Sequence, residues 1–93
     1  PAYVFYFMES MMEAALEMGF SEEESRMLVL NTFEGAIELF SQHDLTPGEW
    51  MDRVASKGGT TRAALDSLDK NDVKKFIKEA AFAAFHRAVE IGS

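Results

Sequence analysis

Six apolar residues in a row, Tyr3-Val4-Phe5-Tyr6-Phe7-Met8, stand almost at the start of this 93-residue chain. No Gly or Pro follows until Gly19, so residues 2–18 read as one helix with Gly19 as its C-terminal cap. The first turns of that helix are apolar on every side rather than along one stripe, the mark of a helix enclosed all round. A monomer of this size buries only about 60–65 % of its unfolded surface and cannot enclose such a helix by itself. Eight Phe and a 47 % hydrophobic content point the same way, toward self-association or a covering domain. Pro1 is not an initiator Met, and the chain is expected to be a piece of a longer protein.

Helical signals continue to the end, and the expected class is all-α, a small bundle of about five helices. Ser21 followed by Glu24 is a capping box and opens a second helix running to about Phe40. Its core face is expected at Met27, Leu28, Leu30, Phe33, Ile37 and Phe40. Gly35 inside it suggests a close helix contact, since Gly costs about 1 kcal/mol relative to Ala in such a place. After a loop over 41–45, Thr46-Pro47-Gly48-Glu49 forms a second box and starts a short helix carrying Trp50, Met51 and Val54. A fourth helix is expected over about 61–68, with Ala64, Leu65 and Leu68 inward. Asn71 or Asp72 then caps the last helix, about 72–91. That helix has one apolar face with Val73, Phe76, Ile77, Ala80, Ala84 and Ile91. Phe82 and Phe85 point away from it and call for a second subunit.

Composition removes several function classes. There is no Cys, so disulfide and thiol chemistry are out and a reducing cytoplasm suits the chain. No signal peptide or eighteen-residue apolar run is present, so no membrane association is expected. Residues 1–53 hold eleven Asp/Glu against two Lys/Arg, and residues 54–93 hold five against seven, for the net charge of −7. Such a balance argues against nucleic-acid binding. Lys74, Lys75 and Lys78 read as a solvated face. Glu9, Glu13 and Glu17 repeat at i, i+4 and also read as a wet face rather than a metal site. Asp69-Lys70-Asn71-Asp72 fails as a calcium loop because Val73 and Lys74 occupy its next positions. His43 and His86 are isolated and Ser56 has no evident His–Asp partners, so no metal ligand or catalytic nucleophile is assigned.

One tract does suggest binding. In Asp52-Arg53-Val54-Ala55-Ser56-Lys57-Gly58-Gly59-Thr60-Thr61, two glycines and two hydroxyls precede a helix starting near Arg62. Glycines let a ligand approach the backbone, and the unpaired N–H groups of a helix start favour an anion. A small carboxylate or phosphate would fit. An ordinary loop ending in a Thr cap has the same residues. The tract is not a Walker A sequence, because no Lys-Ser/Thr follows the second Gly.

Three blocks decide between them: Pro1-Ala2-Tyr3-Val4-Phe5, Gly35-Ala36 and the Val54–Thr61 loop. Together they resemble the C-terminal domain of pyrroline-5-carboxylate reductase, over essentially the whole chain. The family loop commonly reads Asp-x-Val-Ser/Thr-Ser-Pro-Gly-Gly-Thr-Thr. Asp52, Val54, Ser56, Gly58, Gly59, Thr60 and Thr61 fit it, while Ala55 and Lys57 depart from it. The resemblance implies an interleaved dimer of the kind seen in 6-phosphogluconate-dehydrogenase-like reductases. It implies reduction of 1-pyrroline-5-carboxylate to L-proline by NADPH or NADH, the cofactor being held on a separate N-terminal Rossmann domain. Carried over by position, Ser56, Gly58, Gly59, Thr60 and Thr61 would hold the substrate carboxylate, and Asp44 would lie near the ring nitrogen. This chain has no G-x-G-x-x-G after a strand, so it is expected neither to bind the dinucleotide nor to turn over alone. Two other readings stay open: a stand-alone helical dimerisation module without chemistry, and a reductase of another imine or 2-oxo acid.

Overall fold

The computed structural model describes residues 2–55 and 57–92. Among them are five helices and no strand: α1 (Ala2–Glu17), α2 (Glu22–Gln42), α3 (Pro47–Val54), α4 (Thr60–Lys70) and α5 (Val73–Gly92). The all-α expectation holds. The chain divides into two compact units, residues 1–47 and 48–93. None of the described helices is long and apolar enough to cross a membrane.

The first unit is a hairpin of α1 and α2. Gly19, at φ 103°, ends α1 in the left-handed conformation that an L side chain avoids. Its N–H donates to the Leu16 carbonyl and the Phe20 N–H donates to that of Ala15, both close to 3 Å. Those two bonds satisfy carbonyls that the helix end would otherwise orphan. Ser21 then caps α2 as the sequence predicts: its Oγ accepts from the Glu24 N–H at 3.1 Å, and its own N–H donates to Glu24 Oε1 at 2.9 Å. The Ser21 N–H, and after it the Ser21 side chain, hold the Glu24 carboxyl below its ordinary range.

The expected core face of α2 needs correction. Ser25 and Val29 are buried, with Ala15 of α1 buried too, and Phe33 is half-buried. The inner line is thus Ser25–Val29–Phe33 at i, i+4 and i+8. Met27, Leu28, Leu30, Ile37 and Phe40 are exposed, Ile37 at 62 %. Small residues let α1 and α2 approach, and the larger apolar side chains are left on the outer faces. A Cβ built at Gly35 meets nothing within 4 Å, so no close contact inside the chain requires that glycine. Helix α2 also runs two residues beyond Phe40, to Gln42.

The second unit comprises α3, α4 and α5. Helix α3 begins at Pro47, directly after Thr46 as expected, and has Arg53 in its last turn, where a cation suits the dipole. The Arg53 guanidinium lies 5.7 Å from the Trp50 ring centroid. Helix α4 spans Thr60–Lys70, longer than expected at both ends. Asn71 closes α4 rather than capping α5: its N–H and its Nδ2 both donate to the Ser67 carbonyl. Asp72 precedes α5 at φ 54°, a left-handed position Asp tolerates better than most residues, and its carbonyl accepts from the Phe76 N–H. Leu65 and Val73 are half-buried where α4 meets α5, while Ala64 and Leu68 are exposed. Of the predicted α5 face only Val73 is withdrawn from solvent; Phe76, Ile77, Ala80, Ala84 and Ile91 are exposed, as are Phe82 and Phe85 off that face.

Candidate functional site

The glycine–threonine loop leaves α3 through Ala55, whose N–H donates to the Met51 carbonyl at 3.0 Å and which is itself buried. Ser56, one of the expected carboxylate ligands, lies outside the described residues. Lys57 and Gly58 form a turn, with Gly58 at φ 76°. Only glycine adopts that conformation without strain. It sets Gly59 in the extended conformation, φ −83° and ψ 175°, from which α4 starts.

This corrects the placement of the threonines. Gly59 is the N-cap, and Thr60 and Thr61 are the first two helical residues rather than the caps. The first helical hydrogen bond runs from the Ala63 N–H to the Gly59 carbonyl at 3.0 Å. The N–H groups of Thr60, Thr61 and Arg62 therefore precede the intrahelical ladder and face outward along the axis. Gly59 has no side chain with which to cap them, and no acidic residue stands in the first turn. Instead Arg62 is half-buried at the third helical position, a cation where the dipole already favours an anion. Arg62 was not singled out from sequence. A basic residue placed at a helix start against the dipole was the signal available.

Gly58, Gly59, Thr60 and Thr61 are thus brought together, with Gly59 half-buried and both threonines exposed. Chemically they offer backbone donors, two hydroxyls and a positive dipole end, the set that holds a carboxylate or phosphate. Asp44, the remaining expected residue, is exposed in the connection between α2 and α3 and belongs to the other compact unit. Among the described residues, no group of three His, Cys, Asp or Glu is arranged to hold a metal ion.

The first unit has a separate feature, an open groove of about 240 Å³ between α1 and α2. Met11, Ala14, Met18 and Phe20 line one side, and Leu28 and Thr32 are on the other. Thr32 Oγ1 donates to the Leu28 carbonyl at 2.7 Å, so even its one hydroxyl is turned to the helix backbone. Nothing in this groove suits a charged ligand.

Comparison with known proteins supplies the context. The family model for pyrroline-5-carboxylate reductase dimerisation matches residues 1–91. The pyrroline-5-carboxylate reductase of Pseudomonas aeruginosa is 35 % identical over 91 residues, covering 98 % of this chain and 33 % of that protein. That of Pasteurella multocida is also 35 % identical, over 92 residues, covering 98 % of this chain and 34 % of its own length. The chain therefore spans about a third of the curated relatives it matches. A crystal structure of Plasmodium falciparum pyrroline carboxylate reductase with NADP bound superposes with a TM-score of 0.94 at 38 % identity, covering 100 % of this chain and 36 % of that one.

Proposed function

Since the chain belongs to the pyrroline-5-carboxylate reductase dimerisation family, we propose that it is the self-associating, substrate-seating helical domain of an enzyme reducing 1-pyrroline-5-carboxylate to L-proline. The family match over residues 1–91 carries this reading. The open N-terminus of α4 supports the substrate half of it. The N–H groups of Thr60, Thr61 and Arg62, with the two threonine hydroxyls and Ser56, hold the substrate carboxylate. Gly58 and Gly59 keep side chains out of its way. Asp44 is assigned to the ring nitrogen, where a carboxylate favours the protonated imine over the neutral one. The chain's contribution is position: a fixed carboxylate orients the imine carbon for reduction.

The reductant is NADH or NADPH, and the described residues do not fit a dinucleotide. They include no strand, and the 57–61 turn lacks the glycine spacing that leads a strand into a phosphate-cradling helix. We assign that cofactor to a separate Rossmann domain N-terminal to this chain. The redox chemistry belongs there.

The assembly half rests on the aromatic residues left in solvent. Tyr6 is 72 % exposed, Phe5 66 %, Phe85 62 % and Phe82 59 %. Exposed apolar area of this kind marks an interface, and a second copy is the partner that closed symmetry supplies. The protein is read as a cytoplasmic homodimer or higher homo-oligomer with no nucleic-acid or membrane partner.

The test uses the full-length protein and the 93-residue chain side by side. The full-length protein is expected to oxidise NADPH or NADH in the presence of 1-pyrroline-5-carboxylate, and the chain alone is expected not to. Turnover by the chain alone, or none by the full-length protein, overturns the enzymatic reading. Sedimentation of the chain as a folded monomer at micromolar concentration overturns the assembly.

A further inference from the structure

We propose that the Arg62 side chain selects the substrate by charge, its guanidinium meeting the carboxylate seated at the open start of α4. This assignment rests on the substrate reading above and adds the source of the seat's preference for an anion over a neutral group of the same shape.

The need for a cation follows from the other donors. The N–H groups of Thr60 and Thr61 and the two threonine hydroxyls donate to any oxygen acceptor, a neutral amide carbonyl included. Both threonines are exposed, so water competes for those donors and weakens the pull of the dipole. A hydrogen bond between full charges is about twice as strong as one between neutral groups. Discrimination between a carboxylate and its amide therefore calls for a charged side chain.

Arg62 has the position and the vacancy for it. It is the third helical residue of α4. Cα–Cβ bonds in a helix tilt toward its N-terminus, so the Arg62 side chain sets out toward the open N–H groups. The residue is half-buried, and no described residue hydrogen-bonds or ion-pairs with its guanidinium. A cation so placed has two penalties, partial loss of water and an opposing dipole. Packing beside Leu65, half-buried one turn on, explains the apolar stem alone. Leu or Met would fill that role with neither penalty. An anion at the α4 start relieves both at once.

The local charge pattern agrees. The chain has a net charge of −7, yet residues 53–65 include Arg53, Lys57 and Arg62 and no Asp or Glu. Arg53 already lies over the Trp50 ring, and Lys57 is exposed in the turn. The start of α2, by contrast, has Glu22, Glu23 and Glu24 in its first turn. Within an acidic chain, the α4 start is thus the helix start whose field draws a small anion in.

Arg62→Gln removes the charge and keeps the backbone N–H. In the full-length protein it is expected to raise KM for 1-pyrroline-5-carboxylate about tenfold or more, with much smaller changes in kcat and in KM for the dinucleotide. The preference for that substrate over 1-pyrroline-5-carboxamide should fall by a similar factor, and Arg62→Lys should recover part of both losses. The unfolding midpoint of Arg62→Gln should hold or rise, because an unpaired cation leaves the positive end of the dipole. A lowered midpoint, a KM rise that Arg62→Lys leaves unrecovered, or an unaltered preference over the carboxamide makes Arg62 a packing residue and overturns the inference. Gly59→Asp separates the two levels of failure, since it blocks the seat without touching Arg62. If it raises KM and Arg62→Gln does not, the charge assignment alone falls. If neither raises KM, the seat falls with it.

Discussion

Helices α2 and α4 begin in opposite ways. The first turn of α2 has Ser21 and Glu24 bonded to each other's backbone, and Glu22 and Glu23 beside them, so its N–H groups and dipole are satisfied by the chain itself. The first turn of α4 has a glycine cap, no acid, and Arg62 instead. A chain able to finish one helix so completely leaves another unfinished, with a glycine cap that costs about a few tenths of a kcal/mol relative to Ser or Asp. The difference separates a helix start completed by its own chain from one left open, the end to which the proposed function assigns the substrate carboxylate.

The largest expected effect comes from giving α4 what α2 already has. Gly59→Asp places a capping carboxylate in backbone geometry that accepts one, so thermal stability should hold or rise slightly. The same carboxylate blocks the proposed substrate seat, and on that proposal KM for 1-pyrroline-5-carboxylate in the full-length protein should rise about 10- to 100-fold, the equivalent of a charged hydrogen bond. An unchanged KM would mean that the open end of α4 does not seat the substrate. Next is Gly58→Ala, which forces a side chain into the left-handed region and should cost about 1–2 kcal/mol in denaturant unfolding. Ser21→Ala should cost about 1 kcal/mol by the same measurement while leaving KM alone, because the α2 start has no ligand to lose.

The smallest effect is in pH. Glu24 titrates below its ordinary value of 4.5 in the folded chain. A depressed folded pKa means that its contribution is complete above that ordinary value and is lost as pH falls through the lowered one. Glu24→Gln keeps an acceptor for the Ser21 N–H but cannot titrate, so its unfolding midpoint should fall less steeply than that of the native chain as pH is lowered from 6 to 3. Parallel profiles would remove the capping box as the cause.

Much of this was legible in sequence because it is local. The stop of α1 at Gly19 and the Ser21–Glu24 box involve residues within a few positions of one another, and both formed as read. The α4 start was misread for an equally local reason. Thr60 and Thr61 have the side chains of caps, but the left-handed turn at Gly58 hands the cap to Gly59 and moves both threonines into the helix. The inner line of α2 was not legible. That helix is apolar on several sides, and nothing in residues 21–42 says that Ser25 and Val29, rather than Leu28 and Ile37, will face Ala15.

By itself the sequence determined an all-α chain of five helices, the stop of α1 at Gly19 and the start of α2 at Ser21, and a surplus of apolar residues too large for one copy to hide. Helix propensity, caps and composition act over a few residues or over the whole count, so they need no knowledge of neighbours. The tertiary structure decided which line of α2 meets α1 and which residues of α5 stay in solvent. Burial against residues distant in the chain settles those points, and it is not encoded at a single position.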